Sequence, residues 1–161
     1  MSPELTSLSW VAALAAIMWV PYVLNSIMVR GLVDAVGYPE DPKPLAPWAQ
    51  RLKAAHYNSV ENLVLFATLV LVANAAGISN ETTVLVCNVY FWARVVHVLA
   101  YTFGIPWVRT LAFLAVMLGV FSLIFSMDPD YPINLVIGLF VWDFFGHQRT
   151  GPRTPRNPWG A

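Results

Sequence analysis

Long apolar runs dominate the chain, and each ends at proline, glycine or charge. Residues 8–29 are apolar apart from Ser9, Asn25 and Ser26, with Arg30 and Asp34 just beyond, so a first membrane span is predicted over residues 5–33. Pro21 lies inside it and is expected to kink it, a defect that neighbouring helices tolerate. Residues 37–48 (GYPEDPKPLAPW) hold four prolines and read as an extended, solvated connector outside the lipid. A second helix is predicted from Pro47, a suitable first-turn residue, to about residue 76, where Gly77 can end it. Its first half carries Gln50, Arg51, Lys53, His56, Asn58, Glu61 and Asn62, whereas residues 63–76 are almost wholly apolar, so the helix starts in water and dives inward. A third helix over residues 83–103 is interrupted by Asn88, Arg94 and His97. Gly104 and Pro106 then turn the chain into a fourth, over residues 107–127, which opens with Arg109 and is uncharged until Asp128.

After that fourth span the pattern weakens. Residues 132–146 are apolar except for Asn134 and Asp143, but at 1.5 Å per residue they reach only about 22 Å, short of a hydrocarbon core of roughly 30 Å, and read as a short or interfacial fifth helix. Residues 148–161 (QRTGPRTPRNPWGA) have the composition of a disordered Arg/Pro-rich tail. The expected organisation is therefore an all-α membrane protein: one transmembrane domain over residues 1–147, built as a four-helix bundle with a short extra C-terminal apolar helix. Composition agrees, with 58% hydrophobic and 11% charged residues and a mean hydropathy of +0.60.

Nine basic residues balance nine acidic ones, so net charge implies no attraction to nucleic acid. Their placement says more. Arg30, Lys43, Arg51, Lys53, Arg94 and Arg109 all fall on the side reached after the first span, and the opposite side has none through the fourth. By the positive-inside rule the N-terminus is expected outside and the proline-rich connector in the cytoplasm. Arg149, Arg153 and Arg156 keep to that rule only if the fifth segment crosses. Residues 1–6 carry no Lys or Arg, and the apolar run behind them is too long for a signal peptide, so the first helix is expected to stay. Trp10, Trp48, Trp107 and Tyr131 lie near span ends, where aromatic belts sit. Cys87, the one cysteine, is read as a buried inert thiol.

Ionisable residues within a span cost on the order of several kcal/mol unless they face the bundle interior or water. Arg51, Asn58 and either Glu61 or Asn62 share a stripe on the second helix, and Tyr90, Arg94, His97 and Tyr101 repeat at four, three and four on the third. The plain structural account is an ion pair between Glu61 and Arg94, with Asn58 and the tyrosines filling the remaining hydrogen bonds. That leaves Arg51, Lys53 and Arg109 poorly supplied with anions, and a site with surplus cations suits an anionic ligand. His56 has no partner at metal-ligand spacing, so no metal is expected. There is no glycine-rich phosphate loop, nucleophile elbow or cysteine pair.

Two stretches resemble the MAPEG family, the membrane-associated proteins in eicosanoid and glutathione metabolism, in its bacterial type. Residues 51–66 (RLKAAHYNSVENLVLF) are similar to its second-helix signature of a basic residue, His or Gln, then Asn and Glu three apart. Residues 94–113 (RVVHVLAYTFGIPWVRTLAF) are similar to its third-helix Arg and Tyr, the tight turn and the Arg opening the fourth helix. Ala54 stands where many relatives carry Arg, and Phe113 where some carry Tyr. The resemblance implies a homotrimer binding glutathione between subunits near the cytoplasmic face. It also implies membrane-bound glutathione transferase or peroxidase activity on a hydrophobic small molecule. Arg109 then matches the catalytic arginine, stabilising the glutathione thiolate, with Tyr101 assisting by hydrogen bonding. Asn58, Glu61 and Arg94 match glutathione-contacting positions, with Arg51, His56 and His97 in the same stripes and Arg30 at a first-helix basic position. The rival reading is a non-catalytic accessory subunit of the same fold, whose fifth segment and tail dock on lipid or a membrane-protein partner. A small transporter fits least, because no helix is broken at midplane in matching halves.

Overall fold

Helix ends in this chain are set by local chemistry. In the computed structural model, which describes residues 1–37 and 39–127, Ser2 holds extended backbone and its side chain accepts from the amide of Leu5, starting α1 (Pro3–Arg30) with Pro3 in the first turn. The helix runs through Pro21 and stops at Gly31, whose φ of 81° breaks it three residues before the predicted exit. The chain restarts as a short α2 (Leu32–Val36). The connector is tied back to α1, with Ala46 N–H donating to Asn25 Oδ1 (3.0 Å) and Arg30 Nε to the Lys43 carbonyl (2.7 Å). Pro47 opens α3 (Pro47–Ala75).

Asn80 begins α4 (Glu81–Phe103) with a capping box: its side chain accepts from the Thr83 amide while Thr83 Oγ1 accepts from the Asn80 amide. That moves the start two residues ahead of the predicted one. Gly104, left-handed at φ 75°, ends α4, with Ile105 N–H reaching back to the Ala100 carbonyl at 2.8 Å. Pro106 then starts α5 (Pro106–Met127).

Among the described residues there is no strand, and α1, α3, α4 and α5 are long and apolar enough to span a membrane. The shortest span, 21 residues, covers about 31 Å against a core of roughly 30 Å. α4 lies along α5 and α1 along α3, and α4 also meets both α3 and α1. The main core joins all four spans through Val11, Phe66, Val70, Cys87, Tyr90, Val116, Val120 and Leu123. A second cluster of Met18, Leu52, Ala55 and Val98 carries Tyr22 and Tyr101 at its edge. Outward positions are apolar too, Ile17, Val64, Leu85, Leu111 and Leu118 among them, as lipid contact requires. The expected fifth helix over residues 132–146, the tail over 148–161 and Tyr131 lie outside the described residues.

Candidate functional site

The polar stripe of α4 faces into the bundle, where an ionised group must find partners. Tyr90, Arg94 and His97 are buried and Tyr101 is half-buried. Phe66 of α3 stacks flat on Tyr90 (3.8 Å between ring centres, 5° between planes), and the Tyr90 hydroxyl donates to the Asn62 carbonyl at 3.2 Å. Arg94, only 1% exposed, donates from Nη1 to Asn58 Oδ1 (3.0 Å), from Nη2 to the Asn58 carbonyl (3.5 Å) and from Nε to the Tyr90 hydroxyl (3.5 Å). Asn62 Nδ2 donates to the same Asn58 carbonyl at 2.8 Å. The enclosed cation is thus held by neutral oxygens. Glu61 is exposed and forms no ion pair among the described residues, so the plain pairing of Glu61 with Arg94 does not form within the chain.

One turn further along α4, the His97 ring meets Tyr101 edge-on (5.6 Å) and Phe113 at a tilt (6.1 Å), with His97 Nδ1 buried and unpartnered. Over the Tyr101 ring lies the Arg109 guanidinium, 5.0 Å from its centre. The tight reversal at Gly104 and Pro106 makes this possible, because it puts the first turn of α5 beside the last turn of α4. Arg109 and Tyr101 are both half-buried and therefore reachable. Arg51, also half-buried, donates from Nε to the Thr102 carbonyl at 2.9 Å, placing a second cation at the electronegative end of α4.

The structure thus brings together Asn58 with Arg94, and His97 with Tyr101 and Arg109. The other site candidates point elsewhere. His56 shares a 3.0 Å hydrogen bond with the Tyr22 hydroxyl through Nδ1, and Arg30 is engaged by the Lys43 carbonyl. Among the described residues no three His, Cys, Asp or Glu side chains gather as metal ligands would. Sequence reasoning missed Tyr22 and Phe66, which lie in apolar runs with nothing to distinguish them from core residues. It also missed Glu4, buried at the opposite end of the bundle against Ser79 and Thr83.

No curated protein matches the chain. The sequence profile of the MAPEG family matches residues 8–127, the whole of the four-span bundle but for its first few residues. With four apolar spans, an inward-facing Arg94 bound to Asn58, and Arg109 at the tight turn into the last span, the chain belongs to the MAPEG family.

Proposed function

We propose that this protein is a membrane-bound, glutathione-dependent transferase or peroxidase acting on hydrophobic electrophiles, and that it works as a homotrimer. Members of the family are glutathione-dependent transferases or peroxidases or eicosanoid synthases, and are usually trimeric. The observation that carries the reading is Arg109, a half-buried guanidinium held on the face of Tyr101 at the end of the bundle where Arg51 also lies. Two reachable cations suit a tripeptide bearing two carboxylates, since guanidinium groups grip carboxylates in pairs of hydrogen bonds. Exposed Glu61 suits its ammonium, and the half-buried Asn58 side chain its amide groups.

The roles divide by burial. Arg94 and His97 are enclosed, so they act as positioning residues: Arg94 fixes the Asn58 side chain and His97 the Tyr101 ring. Arg109 stabilises the thiolate, bringing the thiol below its free range of about 8 to 9 so that the nucleophile exists near neutral pH. In transfer to a chlorinated aromatic acceptor, the sulfur forms a bond to the ring carbon, chloride leaves with the bonding pair, and the thiol proton passes to water. The acceptor approaches from the lipid.

Turnover of glutathione with a chlorinated aromatic acceptor, and separately with a lipid hydroperoxide, tests the reading. Wild-type rates should exceed those of Arg109→Ala by orders of magnitude at unchanged folding. A wild type no faster than Arg109→Ala on either acceptor rejects it, and a wild type that fails to bind glutathione by calorimetry leaves a non-catalytic member of the same fold.

A further inference from the structure

Of the three polar residues that interrupt the apolar run of α4, Arg94 and His97 turn into the bundle and Asn88 does not. Asn88 lies nine residues before His97, on the opposite side of the helix, and is exposed. Its Oδ1 accepts from Ser7 Oγ of α1 at 3.3 Å, and its Nδ2 donates to the Val84 carbonyl at 3.0 Å. An amide nitrogen carries two hydrogens, and the second has no acceptor among the described residues. A donor facing lipid is costly until something accepts from it. Because the side chain leans back to Val84, its amide lies within the first two turns of the span, near the boundary where lipid ester groups meet the hydrocarbon.

Asn88 and Trp92, one turn apart, form a ridge between two clefts. The first, about 490 Å³, lies between α1 and α4 and is walled by Thr6, Ser7, Trp10 and Phe91. The second, about 570 Å³, follows the seam of α4 and α5 past Leu85, Val89, Val96, Leu111 and Ala115. Asn88 and Trp92 line both. Trp92 is 63% exposed, so the ridge stands out between the clefts. A helix of a second copy, about 10 Å across, needs one broad groove. Two clefts parted by a ridge suit two slender chains joined at one end. Neither cleft is lined by Lys or Arg, so a headgroup phosphate finds no guanidinium or ammonium side chain there.

We propose that a diacyl glycerolipid straddles α4 at this place, one acyl chain in each cleft, with the free Asn88 amide hydrogen donated to an ester carbonyl. The site is on the outer side of α4, away from Arg109, and is independent of the chemistry there.

Delipidated full-length protein in detergent is titrated with a diester phosphatidylglycerol and with the diether analogue of the same chain length, and bound lipid per chain is counted by native mass spectrometry. Wild type should saturate with one diester lipid per chain and bind the diether roughly two- to ten-fold more weakly, the worth of one hydrogen bond. Asn88→Leu should bind both lipids at the diether level. Ala115→Phe, which fills the α4–α5 cleft and leaves Asn88 in place, should weaken both alike. The wild-type comparison decides the matter if Asn88→Leu does not fold. Equal affinity of wild type for the two lipids would overturn the proposal, and so would binding undiminished in Ala115→Phe. In membranes, irradiation of a chain with benzoylphenylalanine in place of Trp92 should add the mass of one lipid. A product of twice the chain mass would seat a second copy there and overturn the proposal too.

Discussion

A guanidinium enclosed among helices is tolerated only while its hydrogen bonds last, and Arg94 depends on Asn58 for the shortest of them. Asn58→Ala removes that acceptor and leaves a buried cation short of a partner, so about 1.5–3 kcal/mol of stability should be lost in a detergent unfolding titration. Arg94→Lys keeps the charge but not the planar fork that reaches Asn58 and Tyr90 together, and should be destabilised despite its conservative look. At Tyr101 the ring and the hydroxyl can be separated. Arg109 sits on the ring face, so Tyr101→Phe should bind glutathione nearly as well as wild type while losing turnover if the hydroxyl assists the thiolate. Tyr101→Leu removes the aromatic face, worth about 0.5–1 kcal/mol, and should weaken binding roughly two- to five-fold by calorimetry.

Between elements, the turn from α4 to α5 carries the most constraint. Gly104 is left-handed, and a Cβ there would lie 3.3 Å from Arg51 Nε, the atom that donates to the Thr102 carbonyl. Gly104→Ala should therefore cost about 1–2 kcal/mol from backbone strain alone, plus whatever displacing Arg51 takes. Gly77→Ala, at φ 70° with open space around it, supplies the strain without the clash. Thermal unfolding of the two variants isolates the Arg51 contribution, and equal losses would show that Arg51 simply gives way. Much of this element structure was legible beforehand, because Pro47, Gly104 and Pro106 are boundary residues whose backbone preferences leave few alternatives. The four-three-four spacing likewise placed Tyr90, Arg94, His97 and Tyr101 on one inward face, and the polar half of α3 supplied Asn58 to meet Arg94. Boundaries slipped where a local device intervened: Gly31 cut α1 short, and the Asn80 capping box extended α4 backward. The remaining contacts were out of reach for a different reason. Arg51 finds a backbone carbonyl 51 residues away, Tyr22 finds His56 34 residues away, and Glu4 finds hydroxyls 75 and 79 residues away. Such partners leave no periodic trace, since a backbone carbonyl or a serine exists everywhere.

For the whole molecule, the decisive asymmetry is electrical. The described lysines and arginines cluster toward the connector and the α4–α5 turn, while the opposite end offers the carboxylates of Glu4 and Glu81 and no basic side chain. Because basic residues near span ends resist translocation much more than acidic ones, this distribution should hold the connector in the cytoplasm and the start of α4 outside. Cysteine labelling reads the topology directly, since the one native thiol, Cys87, is fully buried and should stay silent. Asp41 in the connector and Thr82 at the start of α4 are both exposed. In intact cells a membrane-impermeant maleimide should label Thr82→Cys and spare Asp41→Cys, and both should react once the cells are broken. The opposite pattern would turn the bundle over, placing Arg51 and Arg109 on the outer face, away from the cytoplasmic glutathione that the proposed chemistry consumes.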